Sequence, residues 1–220
     1  MLQMFPELFT KNRVQPIQNY PQELLNSLKN TLPETAESKP TVCLLTPGLY
    51  NSAYFEHAFL ADQMGIELVQ GNDLKVVDGF LAMRTTQGHQ KVDVLYKRLD
   101  DDFLDPLNFN EKSSLGVPGL FDVYRKGRVT IANAPGTGIA DDKAMYSFIP
   151  EIVQFYSGEF PLLQNVPTWR CSIKDHLQYV LDNINELVIK QVHGSGGYGM
   201  LIGPTASKKD ISNFKKKLDG

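Results

Sequence analysis

Short apolar runs alternate with stretches of helical periodicity in the first half of the chain. Residues 41–46 form an uninterrupted apolar run that ends at a Pro-Gly pair, which is typical of a strand buried on both faces. Residues 52–64 follow with apolar side chains at helical spacing, with Ser52 as the predicted N-cap and Gly65 as the stop. Residues 66–69 are again apolar. This order predicts two parallel strands joined by a right-handed helical crossover.

The pattern then changes to short apolar runs separated by turn residues. Residues 74–77 and 80–83 flank Asp78-Gly79, a pair that strongly favours a two-residue hairpin turn. Further apolar runs predict strands at residues 92–96, 129–132, 187–192 and 200–202.

Helical periodicity accounts for most of the remaining chain. It predicts helices over residues 22–30, 115–126, 141–156 with a break at Pro150, 172–184 and 207–218. Together, these elements predict an α/β fold with a mainly parallel open sheet, covering roughly residues 41 to 133 and flanked by helices.

The composition mainly excludes several classes of protein. The 220 residues include 22 Lys and Arg against 25 Asp and Glu, and the net charge of −3 disfavours a strongly basic nucleic-acid binder. No apolar run approaches the length of a transmembrane helix, and the N-terminus lacks the pattern of a secretory signal. Cys43 and Cys171 form no metal-binding or disulfide pattern. We therefore expect a cytoplasmic protein with reduced thiols and no membrane partner.

A glycine-rich loop near the C-terminus is the sharpest chemical feature. Gly194, Gly196 and Gly199 fit the G-x-G-x-x-G pattern. An extended segment follows them where a dinucleotide fingerprint requires a helix, so the context is a hairpin. Its backbone amides could fold over phosphates, with Lys190 on the preceding strand supplying a positive charge. The alternative is a flexible hairpin tip with a solvated lysine.

Other charged residues suggest further binding features. Lys143 is placed at a predicted helix start, where its charge opposes the helix dipole and a bound anion would offset the cost. Asp100, Asp101 and Asp102, together with Asp105, follow a predicted strand. They could bind Mg²⁺, a cationic substrate or Arg98, or they could form a solvated turn.

Polar residues also follow the carboxyl ends of the predicted parallel strands, where ligands bind in open α/β sheets. These residues are Tyr50, Asn51, Ser52, Glu56 and, after a later strand, Asn133. Helix capping would by itself account for Ser52.

Four sequence blocks suggest a family. They are TPGLYNSAYFEH at residues 46–57, RLDDDFLDPL at 98–107, NAPGTGIADDK at 133–143 and KQVHGSGGYG at 190–199. In this order they resemble the circularly permuted ATP-grasp proteins of the second type, which are related to glutathionylspermidine synthetase-like carboxylate–amine ligases. The resemblance runs from about residue 5 to the end of the chain.

The resemblance implies an ATP-dependent ligase scaffold, in which ATP phosphorylates a carboxylate and an amine or thiol then displaces the phosphate. It implies a nucleotide site formed by Lys143, Lys190, His193, Gly194, Ser195, Gly196, Gly197 and Gly199. It also implies a pocket for the carboxylate and amine substrates, lined by Tyr50, Asn51, Ser52, Glu56, Arg98, Asp100, Asp101, Asp102 and Asn133.

The polar stretch at residues 31–40, which contains two prolines, and the resemblance together imply a division of the chain. Residues 1–40 are expected to form an N-terminal appendage and linker, residues 41–140 a Rossmann-like pre-ATP-grasp substrate domain, and residues 141–220 part of the nucleotide-binding ATP-grasp domain. Family members are considerably longer, so the chain resembles a central fragment. An unpaired strand edge near Met200 leaves association with another chain open.

Magnesium is the second expected cofactor. ATP-grasp enzymes hold Mg²⁺ with acidic and Asn residues on later strands, whereas only Asp210 and Asp219 follow Gly199 as acids here. The resemblance therefore predicts that the chain alone does not catalyse ligation and that the Mg²⁺ ligands lie in a further C-terminal part. The alternative is a non-catalytic module that binds a nucleotide or metabolite and acts through protein partners.

Overall fold

The structure is a computed structural model that describes residues 4–15, 17–193, 197 and 199–218. The described residues divide into two units, one ending at Pro135 and one beginning at Gly136. The first unit contains the helices α1 (Pro6–Lys11), α2 (Tyr20–Lys29), α3 (Tyr54–Met64) and α4 (Leu120–Arg125). Its strands are β1 (Val42–Leu45), β2 (Glu67–Val69), β3 (Leu74–Val77), β4 (Phe80–Thr85), β5 (Gly88–Lys91), β6 (Val94–Lys97) and β7 (Thr130–Ala132).

A four-stranded parallel sheet forms the centre of the first unit, in the order β2-β1-β6-β7. Every residue of β1 is buried, because the sheet is covered on both faces. Leu45 and Leu95 pack on one face with α4 and the β3–β4 hairpin, whereas Leu44 and Val94 pack on the other with α2 and α3. The predicted parallel sheet flanked by helices is therefore confirmed.

Helix α2, which precedes β1, packs against the parallel sheet. Leu25 and Leu28 of α2 are buried against the face of the sheet that carries Leu44 and Val94, because the amphipathic helix turns its leucines toward the sheet. The chain that follows α2 is also held: the Thr130 hydroxyl donates to the Thr31 carbonyl at 2.5 Å.

The hairpin prediction is confirmed. Strands β3 and β4 pair antiparallel, and Asp78 and Gly79 between them have φ values of 51° and 78°, as a type I′ turn requires. Strand β5 adds to the same sheet and was missed, because its sequence Gly-His-Gln-Lys is almost wholly exposed and has no apolar alternation.

The second unit contains α5 (Lys143–Tyr146), α6 (Ile149–Ser157), α7 (Lys174–Asp182) and α8 (Lys208–Leu218), with an antiparallel pair of strands, β8 (Val188–Ile189) and β9 (Leu201–Ile202). Its core is formed by Val180, Ile184, Ile189 and Leu201. The predicted helix at 141–156 is two helices, α5 and α6, which are separated just before Pro150. Pro150 lies in the first turn of α6, where its missing N–H has no intrahelical partner to lose.

Nowhere in the described ranges is a helix both long enough and apolar enough to cross a bilayer.

Candidate functional site

Three of the predicted substrate-binding segments lie at one edge of the parallel sheet. Strands β1, β6 and β7 are neighbours, and Leu45 pairs with Lys97 while Tyr96 pairs with Ala132. The chain segments that leave these three strands therefore start side by side, about 4.8 Å from strand to strand. The structure thus brings together the segments that carry Tyr50–Ser52, Arg98–Asp102 and Asn133 at the edge where ligands bind in open α/β sheets.

A buried pair of side chains, which the sequence interpretation did not single out, anchors the loop after β1. The Thr46 hydroxyl lies 2.9 Å from Nδ1 of His57, and both residues are almost fully buried. The Gly48 N–H donates to the same hydroxyl oxygen at 3.2 Å, so the hydroxyl hydrogen is available to the imidazole. The pair ties the loop to the first turn of α3.

The surroundings of His57 favour its neutral form. Burial lowers the pKa of His57 below its ordinary value, and the nearby positive charge of Arg98 lowers the pKa further, whereas Glu56 opposes the shift. A neutral imidazole accepts a hydrogen bond at one ring nitrogen and donates from the other. Thr46 therefore fits as the donor to Nδ1 in the folded protein.

The predicted substrate-binding residues that follow β1 face solvent. Tyr50, Asn51, Ser52 and Glu56 are all exposed, and the Asn51 carboxamide oxygen accepts from the Ala53 N–H at 2.9 Å. The prediction of Ser52 as the N-cap of α3 is wrong, because the helix begins one residue later. Its N-cap is Ala53, whose side chain cannot accept a hydrogen bond. The predicted stop at Gly65 is confirmed by its left-handed φ of 65°.

The acidic segment after β6 divides into an ion pair and two exposed carboxylates. Asp101 pairs with Lys97 at 2.7 Å, whereas Asp100 and Asp102 are exposed. Among the residues that the structure describes, no group of three or more His, Cys, Asp and Glu side chains is arranged to hold a metal ion. One observed partner of this segment is Lys97, which the sequence analysis did not name.

A nearby carboxylate has a structural role. Asp105 is fully buried, and its Oδ1 accepts from the N–H groups of Leu107 and Gly119 at 2.9 and 3.1 Å. Its Oδ2 accepts from the Phe121 N–H at 2.9 Å and from the Asn108 carboxamide at 3.0 Å. Four donors around one carboxylate fix the irregular connection between β6 and α4.

Two of the predicted nucleotide-binding segments lie together in the second unit. The Lys143 N–H donates to the Val192 carbonyl at 3.4 Å, next to the end of β8. Asp142 is the N-cap of α5, and its Oδ1 accepts from two backbone N–H groups of that helix. Its Oδ2 lies 3.4 Å from Nδ1 of His193, whose side chain is exposed. Lys190 directly follows β8 and is also exposed.

The glycine-rich loop is described only in part. The predicted positions Gly194, Ser195 and Gly196 lie outside the described residues. Gly197 and Gly199 have φ values of 81° and 64°, in the region that favours glycine. A Cβ at position 199 would require the Gln191 side chain to move. The strands that flank the loop pair antiparallel, whereas its closure over phosphates stays a prediction.

The acids that follow the glycine loop include one helix cap. Asp210 lies 2.6 Å from the Ser207 hydroxyl, whose oxygen accepts from the Asp210 N–H at 3.2 Å. This arrangement caps the start of α8. Asp219 lies outside the described residues.

Known proteins and a family profile match almost the whole chain. Residues 1–219 match the profile of a family described as a circularly permuted ATP-grasp. An uncharacterized protein of Synechocystis sp. is 54% identical over 218 residues, which cover 99% of this chain and 45% of that protein. An uncharacterized protein of Mycobacterium tuberculosis is 49% identical over 218 residues, covering 99% and 39%.

A more distant relative carries a functional name. A protein of Frankia alni, provisionally named as a glutamate–cysteine ligase, is 39% identical over 216 residues, which cover 98% of this chain and 25% of that protein. The chain thus spans less than half the length of each of these curated relatives. The family match over almost all residues shows that the chain belongs to the circularly permuted ATP-grasp family.

Proposed function

We propose that the chain provides nucleotide- and substrate-binding parts of an ATP-dependent carboxylate–amine ligase. In this reaction a carboxylate oxygen attacks the γ-phosphorus of ATP, which gives ADP and an acyl phosphate. The amine then attacks the acyl carbon, phosphate leaves with the bonding electrons, and the amine loses a proton as the amide forms. Family membership and the provisional name of the Frankia relative, glutamate–cysteine ligase, support this proposal.

The observation that carries the nucleotide assignment is the hydrogen bond between Lys143 N–H and the Val192 carbonyl. It holds the start of α5 against the segment that follows Lys190, so two lysine-bearing segments lie together although they are distant in sequence. Lysine ammonium groups bind phosphates as compact positive charges. The positive-φ glycines at 197 and 199 allow a close approach of the backbone to a ligand. The residues present therefore fit a polyphosphate.

On the substrate side, the carboxyl edge of the sheet carries charges of both signs. The exposed Arg98 guanidinium suits a substrate carboxylate, which it can bind through two parallel hydrogen bonds. The exposed carboxylates of Asp100 and Asp102 suit a protonated amine. We therefore assign this edge to the carboxylate and amine substrates, with Tyr50, Asn51 and Ser52 completing its rim.

The residues that hold Mg²⁺ for catalysis also have to be assigned. Asp210 caps α8, and Asp101 pairs with Lys97, so neither carboxylate fits a metal in this arrangement. We propose that the Mg²⁺ ligands lie in polypeptide that the longer relatives carry, and that ligation depends on it. We also propose, from the four sequence blocks, that the parent protein belongs to the glutathionylspermidine synthetase-like branch of these ligases.

Calorimetric titration with Mg-ATP tests the nucleotide site. We expect saturable binding to the chain and a loss of about tenfold or more in affinity in the Lys143→Ala/Lys190→Ala double variant, because two charge-assisted phosphate contacts are removed. Lys174→Ala, an exposed lysine at the start of α7, is the matched control and should bind like the unaltered chain.

Two outcomes would count against the assignment. Equal affinity in the double variant would place the phosphates on other residues. Absence of saturable binding to the unaltered chain would show that these lysines do not form a nucleotide site by themselves.

A further inference from the structure

The second unit carries a continuous stretch of exposed apolar side chains. Helix α6 buries none of its nine residues, all of which are described, although most of them are apolar. The loop after α6 also carries exposed apolar side chains. We call this the α6 surface, and it consists of Ile149, Ile152, Phe155, Tyr156, Phe160, Leu162, Leu163 and Val166.

The exposure of this surface is unusually high for such side chains. Phe155 and Phe160 are 81% and 78% exposed, and Leu162 is 97% exposed. Between residues 149 and 166 the only charged residues are Glu151 and Glu159. Monomeric soluble proteins rarely leave so continuous an apolar patch in water, and such patches mark interaction sites. Aromatic side chains are also enriched where proteins bind one another.

Local contacts give the surface a defined shape. The Tyr146 hydroxyl accepts from the Val166 N–H, and the Asn165 carboxamide donates to the Tyr146 carbonyl, both at 2.9 Å. These bonds hold the end of the loop beside α5. They leave an open groove of about 460 Å³ that Pro150, Phe160 and other apolar residues line.

We propose that the α6 surface is the interface for the additional polypeptide that the longer relatives carry. The relatives match 98–99% of this chain but only 25–45% of their own length, so more than half of each relative lies outside the match. Each relative therefore has polypeptide available to cover a surface that this chain leaves in water.

The size of the surface supports a stable interface. Its three most exposed aromatic side chains offer on the order of 500 Å². With the aliphatic side chains, the surface approaches the roughly 800 Å² that one partner contributes to a standard interface. The inference concerns assembly and does not depend on the ligase reaction.

The direct test mixes the chain with the part of the Synechocystis relative that lies outside the match, expressed as a separate protein. Calorimetry and sedimentation measure binding. We expect a complex whose affinity falls about tenfold or more in Phe155→Ser/Tyr156→Ser, because two interface aromatics are lost. The matched control is Phe55→Ser/Phe59→Ser, which changes an exposed aromatic pair on α3 of the first unit and should leave affinity unchanged.

Several outcomes would overturn the proposal. They are no complex at the highest soluble concentration, equal affinity in the α6 variant, and an equal loss in both variants. Concentration-dependent self-association of the chain, abolished by the α6 variant, would identify a second copy as the occupant instead.

A second measurement applies if the separate part does not fold. Hydrogen exchange compares this chain with the intact Synechocystis relative over the segment aligned with α6. The proposal requires exchange to be slower in the relative by about tenfold or more, because packing adds to the protection given by helical hydrogen bonds. Equal exchange rates would contradict it.

Discussion

At the residue scale, His57 is a buried imidazole whose pKa is lowered from its ordinary value by burial and by the charge of Arg98. Its contact with Thr46 holds the loop after β1, and that loop carries exposed polar residues at the sheet edge. The state of one imidazole therefore bears on the geometry of a candidate substrate site as well as on stability.

Acidification is expected to destabilise the protein through His57. Burial and the Arg98 charge lower the pKa of His57 in the folded state, so the unfolded chain takes up the proton more readily. Stability is therefore fully present above the ordinary value of 6.5 and decreases as the pH falls from 6.5 toward the folded pKa. Urea unfolding across this range, compared between the unaltered chain and His57→Asn, measures the effect.

The variant separates His57 from the other titrating groups. Asn can place a polar atom near the position of Nδ1 but does not titrate. The unfolding free energy of the His57→Asn variant should therefore depend less on pH. An equal dependence in both proteins would exclude His57 as the source.

Asp105 provides a second residue-scale prediction. Replacing it with Ala leaves four donors without their carboxylate partner, so we expect the unfolding free energy to fall by about 3 kcal/mol or more. The matched control is Asp102→Ala at an exposed carboxylate, which should stay within about 0.5 kcal/mol. Comparable losses in the two variants would contradict the structural role of Asp105.

These residues also show what the sequence could not reveal about the site. Both Asp102 and Asp105 belong to one acid-rich block, and only the path of the chain buries one and exposes the other. The contact between Thr46 and His57 joins a strand end to a helix, and no spacing rule specifies such a pair. By contrast, the positions that follow parallel strands could be predicted, because the topology alone brings them to one edge.

At the element scale, the sequence predicted the elements that have a strong local pattern of apolar or turn residues. It did not predict elements such as β5 that lack one. The apolar runs of β1 and β6 and the Asp-Gly turn specify their structure over a few residues. Strand β5 is polar, and its extended conformation follows from pairing with β4. Helix α4 is shorter than predicted and begins at Leu120, after a segment that contains two glycines and a proline.

A glycine at the end of β9 gives the element-scale prediction. A Cβ on Gly203 would lie 1.9 Å from the Ile184 carbonyl oxygen, so Gly203→Ala must displace backbone at the core of the second unit. We expect a loss of about 1–3 kcal/mol, as for overpacked cores. Trp169 packs against this core and is the only tryptophan, so its fluorescence reports unfolding of this unit. In Gly138→Ala, a Cβ meets no atom within 4 Å, and stability should be unchanged. Unchanged stability in Gly203→Ala would contradict the close packing.

At the scale of the whole molecule, each unit has its own core. The two apolar clusters on the faces of the parallel sheet consist of residues from the first unit alone, from Leu24 to Ala132. The third cluster consists of residues of the second unit, from Trp169 to Leu218. Each core is therefore complete within its own stretch of sequence.

The first unit is accordingly expected to fold by itself. A polypeptide of residues 17–135 should unfold cooperatively with a free energy on the order of 5 kcal/mol, because it retains every buried side chain of both clusters. Circular dichroism during urea unfolding measures this. The same polypeptide with Leu44→Asp should lose cooperativity, and a non-cooperative transition in the parent polypeptide would contradict an independent core.

The sequence separation of the paired strands β1, β6 and β7 affects how the chain folds during its synthesis. Val42 pairs with Val94, and Val94 pairs with Thr130, so the sheet joins segments that are 94 − 42 = 52 and 130 − 94 = 36 residues apart. Such non-local pairing is slow compared with helix formation. Its last strand nevertheless leaves the ribosome before any residue of the second unit. Translation therefore lets the first unit fold before most of the second unit has left the ribosome, and the sheet can close before Lys190 emerges.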